Sequence, residues 1–203
     1  MTKYFTSVLV AVFVCITASA QIGIVGGLTS SKTDVKSAVS DYRNITLFQA
    51  GLTYKIKLGE IFALQPSLVY NMKGSSVEQF IEGGSNVNLE YKTGYLELPV
   101  QVQAGLNLGK ILRLYALAEP FVGYALSNNV VNGSTSTATW DNIASRVECG
   151  VGVGAGVEIL EHLQVSLRYF WNLGNVYDFS WDGAKAGVQG SCNGITATIA
   201  VLL

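Results

Sequence analysis

Tyr95-Leu96-Glu97-Leu98-Pro99-Val100-Gln101-Val102-Gln103-Ala104-Gly105-Leu106 is the stretch that decides the fold. Its even positions, Leu96, Leu98, Val100, Val102, Ala104 and Leu106, are all apolar, while Glu97, Gln101 and Gln103 fall on odd ones. A period of two puts these sets on opposite faces of a strand, and a helix would scatter both around its circumference. After a Gly109-Lys110 turn the pattern repeats, with Leu112, Leu114, Ala116, Ala118, Pro120 and Val122 set against Arg113, Tyr115, Glu119, Phe121 and Gly123. Two such runs joined by a tight turn form an antiparallel hairpin.

Working outward, the same grammar recurs on both sides. Thr46 to Leu58 alternates, turns at Gly59-Glu60 and continues as Phe62 to Lys73. Arg146 to Ile159 alternates, turns at Glu161-His162 and continues from Leu163 to Leu173. Gln21 to Thr29 and Gly194 to Leu203 bring the count to eight strands. Long polar connections lie at Ser30 to Asn44, Gly74 to Gly94, Ser127 to Ser145 and Asn175 to Asn193. Short turns and long connections alternate strictly, so all tight turns gather at one end and all long loops at the other, the arrangement of outer-membrane barrels. The prediction is an all-β fold: an eight-stranded antiparallel up-and-down transmembrane β-barrel with short periplasmic turns, long extracellular loops and both termini in the periplasm.

Alternation alone also fits a soluble lipocalin-like barrel, and volume separates the two. Eight strands enclose a space just wide enough to be filled by side chains. The apolar faces carry large residues at nearly every position and would overfill it, so they are assigned to lipid. The polar faces mix long and small residues. On this reading Glu97, Gln101, Arg113, Tyr115, Glu119, Arg146, Glu148, Glu158 and Arg168 form an enclosed polar network, and Gly150, Gly152, Gly154 and Gly156 make a stripe that leaves room for neighbouring side chains. An Arg or Lys facing lipid at mid-depth costs about 2–4 kcal/mol, which favours placing these charges inside. They then serve as structural filling, or, in a sharper reading, line a gated proton or ion path.

Composition agrees. The chain of 203 residues is 49% hydrophobic and 13% charged, with net charge −1, 22 Gly and 3 Pro, which suits one β-rich domain and disfavours nucleic-acid binding. Lys3, the apolar run Val8 to Ile16 and Ala18-Ser19-Ala20 have the parts of a secretory signal. Residues 1–20 are thus expected to leave as a signal peptide, taking Cys15 with them, and residues 21–203 to form the barrel. Of the remaining cysteines, Cys149 lies on an apolar strand face and Cys192 precedes a non-adjacent strand, so two separate thiols are expected rather than a disulfide.

Several pieces then resemble the PorT-like outer-membrane β-barrel family. Tyr95-Leu96-Glu97-Leu98-Pro99-Val100 is similar to that family's Tyr-Leu-Glu-Ile-Pro signature. Gly23-Ile24-Val25-Gly26-Gly27, Leu64-Gln65-Pro66 through Tyr70 with Lys73-Gly74, and Gly152 to Glu158 before Leu167-Arg168-Tyr169 support it. The resemblance covers essentially the whole mature chain and implies a Gram-negative cell-envelope protein in the outer membrane. The family includes a component linked to protein secretion.

Chemistry-bearing residues are few. His162, the single histidine, sits in a turn at the periplasmic end, and no catalytic residue, metal site or cofactor is expected. Tyr177, Phe179 and Trp181 alternate with Asp178, Ser180 and Asp182 in the last long loop, either as a candidate binding ridge or as a strand continued above the bilayer with interfacial aromatics. Two functions stay open: a structural or interaction barrel working through its extracellular loops, and a narrow transport or secretion-associated channel. Expected partners are outer-membrane lipid and lipopolysaccharide, the barrel assembly machinery, and a protein at the extracellular loops.

Overall fold

The structure is a computed structural model and describes residues 20–35, 42–81, 85–109, 111–132, 135–138, 146–173, 177–181 and 184–203. Ten strand segments follow in order: β1 Ala20–Val35, β2 Tyr42–Leu58, β3 Phe62–Ile81, β4 Ser85–Leu108, β5 Leu112–Asn132, β6 Thr135–Ala138, β7 Val147–Ile159, β8 Leu163–Asn172, β9 Tyr177–Trp181 and β10 Ala184–Leu202. Each pairs antiparallel with the next stave, and β10 pairs back onto β1. Because β6 and β7 both lie against β5, and β8 and β9 both lie against β10, the ten segments make eight staves.

The register sets the shape. Cα partners run round the wall from Ala20 through Ile56, Leu64, Val102, Ala118, Val153, Tyr169 and Ile195, and arrive back on β1 at Ser30, a stagger of ten residues. With ordinary strand spacings, eight staves and that stagger give a tilt of about 40° and a backbone radius of about 8 Å. Such a cylinder holds side chains and little else.

Burial follows the pleat. Along β8 the pattern exposed–buried repeats without a break, and neighbouring residues on β4 and β8 show its sense: Leu98 is 48% and Leu167 57% exposed, against 2% for Glu97 and 5% for Arg168. The outer wall carries Ile24, Leu52, Leu68, Val102, Val122 and Ile199 around its circumference. Towards the loop end it carries the rings of Phe48, Tyr70, Tyr124, Tyr169 and Trp171, with Phe48 against Tyr70 and Tyr169 against Trp171. An apolar band edged by aromatics is what a bilayer selects.

Two tight turns sit where the sequence puts them, and the third begins one residue earlier than expected, at Leu160. Gly59 and Gly109 adopt φ of 81° and 73°, the left-handed conformation that glycine enters without steric cost. The third turn uses Leu160 and Glu161 at φ 52° and 63°, closed by the His162 N–H donating to the Ile159 carbonyl at 3.1 Å. Two side-chain-bearing residues in that region cost about 1–2 kcal/mol each.

At the other end the structure departs from expectation. Much of the four long connections is strand: β3 and β4 stay paired up to Ile81 and Ser85, and β10 and β1 up to Gly190 and Val35. β4 has 24 residues, where about 9–11 cross a bilayer. Beyond the apolar band lipid no longer selects apolar residues for the outer face, and the backbone ladder continues without that selection. The register shifts at Asn44/Gln49 and Gly94/Tyr95 fall at this rim, a common place for bulges in barrels.

Candidate functional site

Inside the wall the polar faces of β2, β3, β4, β5, β7 and β8 together supply four buried cations, Lys55, Lys73, Arg113 and Arg168, and four buried acids, Glu97, Glu119, Glu148 and Glu158. They form three tiers. At the turn end, Glu158 on β7 accepts from Lys55 on β2, from Gln164 at 2.9 Å and from Arg113 at 3.4 Å. Arg113 also donates to Gln103 at 3.1 Å and to the Ile61 carbonyl at 3.0 Å, and its guanidinium stands 5.5 Å from the Tyr115 ring. Below this tier a cavity of about 630 Å³, lined by Lys55, Lys57, Phe62, Arg113, Glu158 and Glu161 among others, opens at the turn end. At its mouth Lys57 pairs with Glu161, and this hydrogen bond holds the Glu161 carboxyl below the usual carboxylate range.

The middle tier is a single strong pair within an amide and hydroxyl layer. Arg168 donates to Glu119 at 2.9 Å and to Gln49 at 3.2 Å. Gln65 and Ser67 donate to the Thr53 hydroxyl, Gln103 donates to Gln65 at 2.8 Å and to Gln101 at 3.1 Å, and Ser166 meets Thr198 at 2.6 Å. The void among these groups is about 10 Å³, the size of one water at most. Among the described residues the side chains that meet at this level, Gln49, Gln65, Glu119 and Arg168, are all buried.

The upper tier inverts the lower one. Lys73 on β3 reaches Glu97 at 2.7 Å and Glu148 at 3.0 Å. Asn71 donates to both oxygens of Glu97, at 3.2 and 3.1 Å, and Asn172 donates to Glu148 at 2.6 Å. The Lys73 ammonium lies over the rings of Phe121 at 4.3 Å, Phe170 at 4.7 Å and Tyr95 at 5.6 Å.

Of the residues assigned from sequence to the interior network, Glu97, Gln101, Arg113, Tyr115, Glu119, Glu148, Glu158 and Arg168 are buried inside the wall. Arg146 is corrected: it is exposed in the bend just before β7. Its backbone carbonyl accepts from Ala125, but the strand ladder that would turn its side chain inward starts one residue later. Lys55 on β2 and Lys73 on β3 were not in that network and are buried inside the wall with it.

The glycine stripe divides. A Cβ at Gly150 would stand 2.3 Å from the Phe121 ring, and one at Gly156 2.5 Å from the Tyr115 ring, so these two glycines make room for aromatics. At Gly154 a Cβ would stand 2.1 Å from the Leu167 carbonyl, whereas at Gly152 its nearest contact is an ordinary 3.4 Å. Tyr177, Phe179 and Trp181 lie on β9, whose backbone pairs with β10 and continues the stave of β8. The placement of their side chains lies outside the described residues, as does the signal segment 1–19.

His162 is exposed in its turn. Cys149 faces out from β7 and Cys192 faces in from β10 with β8 between them, and both thiols are free. Among the described residues no group of three His, Cys, Asp or Glu side chains could hold a metal ion.

The family model described as outer membrane protein beta-barrel domain matches residues 17–178 of the chain. No curated protein matches it. Among solved structures, the outer membrane protein OprG from Pseudomonas aeruginosa is similar at a TM-score of 0.50 and 10% identity, over 91% of this chain and 94% of that one. Neisserial surface protein A gives 0.46 and 10% over 89% and 96%. Ail, the attachment invasion locus protein of Yersinia pestis, gives 0.43 and 12% over 91% and 99%. At these identities the likeness concerns the fold.

Proposed function

Because the chain belongs to the outer membrane protein beta-barrel domain family, we propose that it works in the outer membrane as a structural and interaction barrel, engaging its partners through the strands and loops of the extracellular end. The observation that carries this reading is the hydrogen-bonded middle tier. Arg168, Glu119 and the surrounding amides leave a void of about 10 Å³, too small for passage of solutes, while the staves run well past the apolar band on the loop side. Outer-membrane lipid and lipopolysaccharide surround such a body, the barrel assembly machinery inserts it, and a protein partner meets the protruding sheet. No catalytic role is proposed.

The resemblance to PorT-like barrels supports a second reading, a narrow transport or secretion-associated channel, and the wide mouth at the turn end is the feature that favours it. Planar-bilayer recordings separate the two. The interaction barrel gives no steady conductance; a steady conductance that Gly152→Val abolishes replaces it with the channel. Cross-linking in intact outer membranes then tests the partner, with the captured protein expected to disappear when Tyr177 to Trp181 are deleted.

A further inference from the structure

The surroundings of Lys73 are those of a receptor for an organic ammonium ion. Three aromatic faces from three different strands, Tyr95 on β4, Phe121 on β5 and Phe170 on β8, converge on its Nζ at 5.6, 4.3 and 4.7 Å. Two carboxyl groups complete the enclosure at 2.7 and 3.0 Å. Aromatic faces attract a cation through their quadrupole, and more strongly once it is desolvated. Here the ammonium is fully enclosed, with Lys73 and Glu97 1% and 2% exposed.

The walls of the cage are also held by contacts that do not involve the amine. Asn71 grips both oxygens of Glu97, and Asn71 is itself fixed by Thr29 at 2.9 Å. Asn172 holds the second oxygen of Glu148. Phe121 and Phe170 pack edge to face at 6.2 Å, and Gly150 leaves the space that the Phe121 ring fills. None of these contacts passes through Lys73.

We infer that the upper interior of the barrel is an ammonium-binding cage built by Tyr95, Phe121, Phe170, Glu97 and Glu148, which the chain fills itself with the tethered amine of Lys73. The ligand class is a small primary alkylammonium. Truncation to alanine removes Cγ, Cδ, Cε and Nζ, the heavy atoms of n-propylammonium, so that ion is the matching probe, and n-propanol is its neutral counterpart of the same size.

The test refolds Lys73→Ala into detergent micelles with n-propylammonium chloride, n-propanol or sodium chloride present from the start, so that no entry path is needed. The thermal unfolding midpoint and the refolded yield are then read. The expected result is a saturable gain with n-propylammonium, half-complete at a concentration about tenfold lower than for n-propanol. It should be absent with sodium chloride and absent in Lys73→Ala/Glu97→Gln/Glu148→Gln. Equal effects of the alcohol and the ammonium, or no effect of either on midpoint or yield, overturn the cage. NMR of the wild-type barrel provides a second measurement that no folding defect can obscure. The Lys73 ε-methylene protons should resonate upfield of ordinary lysine because rings enclose them, and an ordinary position overturns the proposal equally.

Discussion

The lower and upper tiers of the interior solve the same problem with opposite stoichiometry. At the turn end one acid, Glu158, is shared by two cations, Lys55 and Arg113, beside a cavity of about 630 Å³ open to water. Near the loop end one cation, Lys73, is shared by two acids, Glu97 and Glu148, behind aromatic rings and out of reach of solvent. The lower charges are themselves buried, Lys55 1% and Glu158 2% exposed, but they line a cavity that opens at the turn end, whereas the upper ones are closed in by aromatic rings. Where water can approach, losing one partner is compensated by hydration and by the second cation; where it cannot, a bared charge keeps its full desolvation cost. The upper tier should therefore be the brittle one.

The largest effect that can break this comparison comes from Lys73→Met and Lys55→Met, measured as urea unfolding midpoints in the same detergent. Removing one partner of a buried charged cluster costs about 3–5 kcal/mol, and that is the loss expected at Lys73. At Lys55 about 1–2 kcal/mol is expected, because Glu158 keeps Arg113 and Gln164 as donors. Equal losses would show that exposure to the turn-end cavity does not soften the lower tier.

A smaller effect sharpens what separates the tiers. Gly154→Ala drives a methyl group into the Leu167 carbonyl, and overpacking of this kind costs about 1–3 kcal/mol. Gly152→Ala, on the same face of the same strand, finds an ordinary contact and should stay within about 0.5 kcal/mol of wild type. If both are neutral, the middle of the wall is looser than its register implies.

The smallest expected effect lies at the turn end, where Lys57 holds Glu161. Its carboxyl is depressed by the hydrogen bond from Lys57, so the pair's contribution is present above the ordinary carboxylate range and is lost as pH falls through the lowered value. Glu161 is largely exposed, so Glu161→Gln should cost only about a few tenths of a kcal/mol at neutral pH. The difference from wild type should vanish in acid and in high salt. A loss that persists in acid would mean that the side chain acts through packing instead.

Parity along the strands made most of the wall legible from sequence. Leu98 outward and Glu97 inward follow from the lipid's demand for apolar groups, and the turns at Gly59 and Gly109 follow from glycine's access to positive φ. Parity did not reveal the rim, expected as loop, although Asn86-Val87-Asn88-Leu89-Glu90-Tyr91 alternates as well, with polar residues on the even positions where Leu96 to Leu106 carry apolar ones, and this run is strand. Nor could it pair the charges. Lys55 meets Glu158 across more than half of the chain because of the ten-residue stagger, and no local pattern carries that number. Arg146 shows the opposite limit: its position in the alternation was right for an inward side chain, but the ladder had not yet begun.

The seam between β1 and β10 has a kinetic consequence. Thirteen residue pairs, from Gly23 with Leu202 to Val35 with Gly190, join opposite ends of the barrel sequence, and the Leu203 N–H donates to the Ile22 carbonyl at 2.7 Å. A nascent chain halted before Ala184 would own almost every stave and still be unfit for hydrocarbon, because β1 and β8 would each present a row of bare peptide groups. Closure is then a final, nonlocal event, slow by virtue of its topology. Until it happens the polypeptide must be sheltered from aggregation.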